Sequence, residues 1–135
     1  MRILTTLGLI GSAVLISACA STGGTGASVS REGPAPKIAA NNTITGNGGL
    51  PLYVYSKDKK GEGVSECYDA CAKNWPAAVT GVNTRPEGDF GLIIRMDSTR
   101  QWTYKGQPLY YYAQDSKAGD KKGDGAGGNW KLATK

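Results

Sequence analysis

No histidine occurs anywhere in the 135 residues. That absence excludes a Ser-His-Asp or Cys-His catalytic site, the common His-rich zinc and copper centres, and a His-ligated haem. Phenylalanine appears once, against seven Tyr and three Trp. The aromatic volume therefore comes from side chains that keep a polar end near water, which suits thin β structure. Apolar residues make up 39% of the chain, below the usual ~45–50%, and the 20 glycines are about twice the expected share. Short strands joined by many turns are expected, not a helical bundle. Charge of one sign is not concentrated either. The formal charge is +5, but lysines alternate with acids at Lys57, Asp58, Lys59, Lys60 and Glu62, and again from Asp115 to Asp124. No basic stripe is interleaved with aromatics, so these are solvated faces and no nucleic-acid partner is expected. Glu62 with Glu66, or Glu87 with Asp89, could be named as a glycosidase pair, but no cleft follows from the sequence. With no catalytic constellation, the chain reads as a non-enzyme that needs no cofactor.

Cysteine is scarce, and its three positions are informative. Met1-Arg2 followed by an apolar run to Ile16 has the form of a signal peptide over residues 1–18, too short to span a membrane stably. It ends in Ile16-Ser17-Ala18-Cys19, which resembles the lipobox of bacterial lipoproteins, so Cys19 is the expected lipidation site and the membrane the expected partner through that lipid. The competing reading is ordinary secretory cleavage after Ala20. Two or three acyl chains, at about 0.8 kcal/mol per buried CH₂, give lasting attachment in the cell envelope. Ala20 in place of Asp favours the outer membrane if the source is Gram-negative. The Ser, Thr, Gly, Ala and Pro stretch that follows reads as a tether over residues 19–44, with a span of about 25–30 Å.

Cys67 and Cys71 remain as a pair. Ser65 is a candidate N-cap and Pro76 a stop, which predicts a helix over 65–74 with both cysteines on one face. A structural disulfide is then in reach, contributing about 2 kcal/mol by loop closure. The alternative is a thiol redox or copper-handling pair with Met96 as a soft third ligand.

The clearest signal is an internal repeat. Gly49-Leu50-Pro51-Leu52-Tyr53-Val54-Tyr55-Ser56-Lys57-Asp58 aligns with Gly106-Gln107-Pro108-Leu109-Tyr110-Tyr111-Tyr112-Ala113-Gln114-Asp115 at a constant offset of 57, with six of ten positions identical. Each copy, near 49–79 and 106–133, runs through a charged loop to a tryptophan, Trp75 or Trp130. Tyr53 and Tyr55 share one strand face and Leu52 and Val54 the other, so the motif strand should be covered on both sides. Asp58 and Asp115 stand where a short acid closes a turn by accepting backbone N–H bonds. The tyrosines are expected as framework, with an exposed aromatic platform as the alternative. Phe90, Leu92 and Ile94, a turn at 97–100, Trp102 with Tyr104, and the second motif predict a three-strand antiparallel meander from about Phe90 to Ala113. Asp115, Asp120, Asp124 and Asn129 share a loop with five glycines but match no calcium spacing, so a solvated turn is expected.

These runs resemble the secreted-repeat family of predicted bacterial lipoproteins, whose motif is Tyr-x-(Phe/Trp/Tyr)-x-x-Asp. Tyr53, Tyr55 and Asp58, then Tyr110, Tyr112 and Asp115, carry the motif, supported by the runs Cys67–Pro76 and Gln101–Tyr110. The resemblance implies an envelope lipoprotein and assigns no activity. Lys105-Gly106 stands where Asn-Gly would be the easier hairpin turn, which leaves the turn type open. The expected fold is mainly β, with small α+β as its variant, in one domain over residues 45–135. Two functions are carried forward: a non-catalytic domain binding an envelope protein or cell-wall polymer, and a redox or copper factor using Cys67 and Cys71.

Overall fold

The computed structural model describes residues 34–135. The signal peptide, Cys19 and most of the tether lie outside the described residues. Eight short strands and one helix follow: β1 (Lys37–Ile38), β2 (Ile44–Thr45), β3 (Tyr53–Tyr55), α1 (Ala70–Asn74), β4 (Val79–Thr80), β5 (Phe90–Ile94), β6 (Arg100–Tyr104), β7 (Gln107–Pro108) and β8 (Trp130–Leu132). Every strand pairing is antiparallel. The expected tether boundary at 44 is too late. Residues 37–45 already form the β1–β2 hairpin, and Thr43 and Ile44 are buried, because Ile44 N–H donates to Ala133 O and its own carbonyl accepts from Leu52.

The central sheet runs β4-β6-β5, with β7 sharing the β4 edge of β6. This is the expected meander, but its third strand has only two residues. Beyond Leu109 the chain leaves β6, and Tyr110 bridges to both Tyr53 and Ala77. The Lys105-Gly106 loop has φ of 49° and 82°. Positive φ at both positions is the type I′ pattern, so lysine takes the place usually given to Asn.

The helix is shorter than the expected 65–74. Asp69 has φ 53°, outside the helical region, so the helix begins at Ala70 and ends at Asn74 before Pro76. Ser65 caps nothing. Its Oγ accepts the Cys67 N–H (3.1 Å) in a local turn and faces Tyr110 Oη.

The two copies are interleaved about a pseudo-two-fold axis between Tyr53 and Tyr110. Tyr53 N–H donates to Tyr110 O (2.8 Å) and Tyr110 N–H to Tyr53 O (2.9 Å). Ala133 N–H donates to Leu52 O, and Ala78 N–H to Leu109 O; Ile44 N–H donates to Ala133 O, and Trp102 N–H to Ala78 O. Thus β3 of the first copy pairs with β8 of the second, while residues 110–113 of the second pair with 74–77 of the first. Neither copy closes its own ladder. Buried backbone groups need partners, so each copy depends on the other for its hydrogen bonds.

The alternation along the motif strands separates two cores. Leu52, Leu109, Ile44, Trp102 and Tyr104 form one, with Val54 and Tyr111 against it. Tyr53, Tyr110, Trp75, Trp130 and Cys67 form the other, with Tyr55 and Tyr112 against it.

Candidate functional site

The motif residues meet across the pseudo-two-fold axis. Tyr53 Oη donates to Asp115 Oδ2 (2.6 Å), and Tyr110 Oη donates to Asp58 Oδ2 (2.5 Å). Each copy's tyrosine therefore binds the other copy's acid. The second oxygen of each acid clasps the loop that follows it: Glu66 N–H donates to Asp58 Oδ1 (2.7 Å) and Lys122 N–H to Asp115 Oδ1 (3.1 Å). Backbone acceptance by the acids was expected, but the crossed tyrosine partner was not. Burial first, and the neighbouring carboxylates second, push both phenols well above the usual tyrosine range, so both remain proton donors.

The two halves differ in what supports the phenol. Gly123 N–H donates to Tyr53 Oη (3.2 Å), where a Cβ at Gly123 would overlap Trp75. Tyr110 Oη is met by Ser65 Oγ (2.6 Å). Since the single phenolic proton goes to Asp58, Ser65 donates to Tyr110 and accepts from Arg95 Nη1 (3.0 Å). Arg95 is buried, donates also to Gln101 Oε1 (2.8 Å) and Cys67 O (2.7 Å), and lies 4.3 Å from the Tyr68 ring centroid. The sequence reading missed it. An isolated Arg just past the apolar run of β5 was the available signal. The polar line Arg95–Ser65–Tyr110–Asp58 joins a buried cation to a buried anion without direct contact.

Asp58 is held above the usual carboxylate range, chiefly by burial. Its folded state binds a proton more tightly than the unfolded chain, so Asp58 favours folding most below its unfolded value of 3.8, and that contribution is lost as pH rises through the folded value. Asp58→Asn is therefore expected to compare best with wild type near neutrality and to fall behind it on acidification. Urea midpoints measured at intervals from about pH 7 to pH 4 check this. Parallel profiles for the two proteins would reject it.

Cys67 and Cys71 form a disulfide with Cα atoms 5.3 Å apart. Cys67 lies before the helix and is fully buried. Met96, the soft ligand considered with them, is exposed. The acids of the glycine loop each serve their own backbone: Asp120 Oδ2 accepts from Ser116 and Lys117 N–H, and Asp124 Oδ1 from Leu132 N–H. Asn129 Oδ1 meets Ser56 Oγ. Among the described residues no cluster of three His, Cys, Asp or Glu side chains could hold a metal ion.

Four rings stack across the axis in the order Tyr112, Trp75, Trp130, Tyr55, with centroid spacings of 4.3, 3.8 and 4.3 Å. The tryptophans are buried, whereas Tyr55 and Tyr112 are half-buried. The motif tyrosines thus divide, Tyr53 and Tyr110 in the core and Tyr55 and Tyr112 at its rim. The stack lines a shallow groove of about 360 Å³ with Asn74, Gln114 and Asn129 around it. Trp102, also expected as framework, is buried in the other core. A second groove, of about 370 Å³, lies between β8 and the β6–β7 turn, lined by Val54, Tyr104, Leu132 and three lysines.

Fold and site together define a two-copy repeat domain, closed by exchange between its copies, with the first tyrosine and the acid of each motif turned inward. A sequence family described as a secreted repeat of unknown function matches residues 42–79 and 91–134, and the chain belongs to it. The family implies an extracellular or envelope location. No helix among the described residues is long and apolar enough to cross a membrane. Searches of the curated proteins and of the solved structures returned no match.

Proposed function

We propose that the chain is a lipid-anchored envelope protein whose repeat domain is a non-catalytic module that binds a cell-wall or surface polymer. The observation that carries this reading is the ring stack. Its inner members hold the two copies together, while Tyr55 and Tyr112 keep part of their surface open to a groove rimmed by amide side chains. Aromatic faces with a few neutral polar groups suit sugar rings or extended chains, which offer apolar faces and hydroxyls or amides together. The acids and phenols of the motif hold one another in buried bonds, which supports a structural role for them and leaves the surface grooves for recognition. The lipobox at Cys19 supports the anchor. The redox or copper alternative would need access to Cys67, which is buried and disulfide-bonded.

Two measurements on the full chain test the proposal. Labelled palmitate is expected on wild type and absent from Cys19→Ala; label on the variant, or none on wild type, rejects the anchor. The detergent-solubilised protein should sediment with envelope polymer from its source. Tyr55→Ala and Tyr112→Ala, whose rings are half-exposed, should weaken that sedimentation while leaving the domain folded. Sedimentation unchanged in both variants would sink the binding role of the stack.

A further inference from the structure

The pseudo-two-fold axis gives an internal control for the second groove. Hydrogen bonding matches Val54 with Tyr111, and Tyr104 with Gly46: Leu52 N–H donates to Ile44 O as Leu109 N–H donates to Trp102 O, and the matched residues follow two positions along. On the Tyr111 side the space is filled. Tyr111 Oη accepts the Asn47 N–H (2.8 Å), and a Cβ at Gly46 would overlap the ring. On the Val54 side the larger residue sits on the opposite wall, as Tyr104, and the groove stays open.

That open groove is not merely a packing leftover. Tyr104 is buried, yet its hydroxyl has no hydrogen-bond partner among the described residues. An unpaired buried hydroxyl is unfavourable, and Tyr111, which fills the matching space in the other half, avoids that penalty by accepting the Asn47 N–H. Lys60, Lys105 and Lys131 line the same groove with no carboxylate among its walls. None of the three is in an ion pair among the described residues, where the single pair found is Lys59 with Glu62. Val54 supplies an apolar floor beside Lys131, its partner across β8, and Gln107 and Asn129 supply amides.

We infer that this groove is a binding site for an acidic saccharide unit, its carboxylate facing the lysines and a ring face on Val54. The volume is at the lower end of the ~300–1,000 Å³ typical of small-ligand sites, enough for one short unit and not for a folded partner. The inference rests on the polymer-binding reading and narrows its ligand to the anionic members of that class. The groove occurs in one half only, so one site per chain is expected.

The test is calorimetric titration of the detergent-solubilised full chain with an oligogalacturonate, a neutral maltooligosaccharide of equal length, and inorganic phosphate. The oligogalacturonate should bind at one site and weaken as salt is raised, the neutral sugar should give no heat, and phosphate should compete poorly. The combined variant Lys60→Gln, Lys105→Gln, Lys131→Gln changes exposed positions only and should melt like wild type while losing about tenfold or more in affinity. Equal binding of both sugars, competition by phosphate at the same strength, or an undiminished triple variant would each overturn the assignment. Failure here with polymer sedimentation intact would remove the lysine groove and leave the broader reading standing.

Discussion

Tyr110→Ala is expected to leave the domain largely unfolded at temperatures where wild type is intact, with Tyr53→Ala close behind. Both side chains are fully buried at the pseudo-two-fold axis. Truncation removes the ring packed edge-on against Trp130 and leaves Asp58 and Ser65 without the phenol that joins them. Cutting back a buried aromatic loses about 3–5 kcal/mol, and a carboxylate left without its donor adds to that. A domain of this size has about 5–15 kcal/mol in all, and each kcal/mol moves the melting temperature by about 4–8 °C, so a fall of more than about 15 °C is expected. Tyr110→Phe separates the two contributions. It keeps the ring and should lose only about 1–3 kcal/mol. Tyr55→Ala and Tyr112→Ala, at the half-exposed ends of the stack, should lose less than half of what Tyr110→Ala does. Thermal melts of the five variants decide the matter, and a Tyr110→Ala protein within about 1 kcal/mol of wild type would refute the crossed-pair account.

The contrast among these four tyrosines shows where the sequence was legible. Period-two alternation correctly separated Tyr53 and Tyr55 from Leu52 and Val54, because a strand places alternate residues on opposite faces whatever its neighbours are. The same rule located β5 and β6, and the proline stop at Pro76 located the end of the disulfide-bearing segment. What it could not supply was the partner of each strand. Sequence adjacency favours pairing within a copy, and the observed ladders run between copies, so the Tyr53–Asp115 and Tyr110–Asp58 bonds span 62 and 52 residues. Periodicity carries no information about which of two nearly identical strands a ladder will choose. The early onset of the fold at Lys37 was hidden for a related reason. A two-residue strand of Lys37 and Ile38, exposed on its own, becomes ordered only because Ile44 beside it is held by Ala133. The two grooves were illegible for a third reason. They exist where residues far apart in the chain leave space, and one of them depends on the difference between Val54 and Tyr111, which the repeat alignment displays without saying which side stays open.

Arg95 sharpens this point, and replacing it should have the second-largest effect. Arg95→Met would remove a buried cation that donates to Ser65 Oγ, Gln101 Oε1 and Cys67 O and stacks on Tyr68. Gln101 is itself fully buried and donates to Leu109 O (2.7 Å), so its freed carbonyl oxygen has no route to water. Asp58 would lose the positive charge that partly offsets its burial, and its carboxyl would rise further. Breaking a buried charge arrangement from one side is worth about 3–5 kcal/mol, so Arg95→Met should approach the loss seen for Tyr110→Ala. Arg95→Lys should recover little, because a single ammonium cannot reach three acceptors held by a planar fork, nor stack on Tyr68 in the same way. The decisive measurement is a double-mutant cycle with Asp58→Asn, read by urea midpoint at neutral pH. If the polar line couples the two charges, the Arg95→Met loss should shrink by about 1 kcal/mol or more once Asp58 is already neutral, because no buried anion is then left uncompensated. Strict additivity would mean that Arg95 acts through Cys67 and Gln101 alone, as a local brace between the disulfide segment and β6, with no electrostatic link to the crossed tyrosine–aspartate pair.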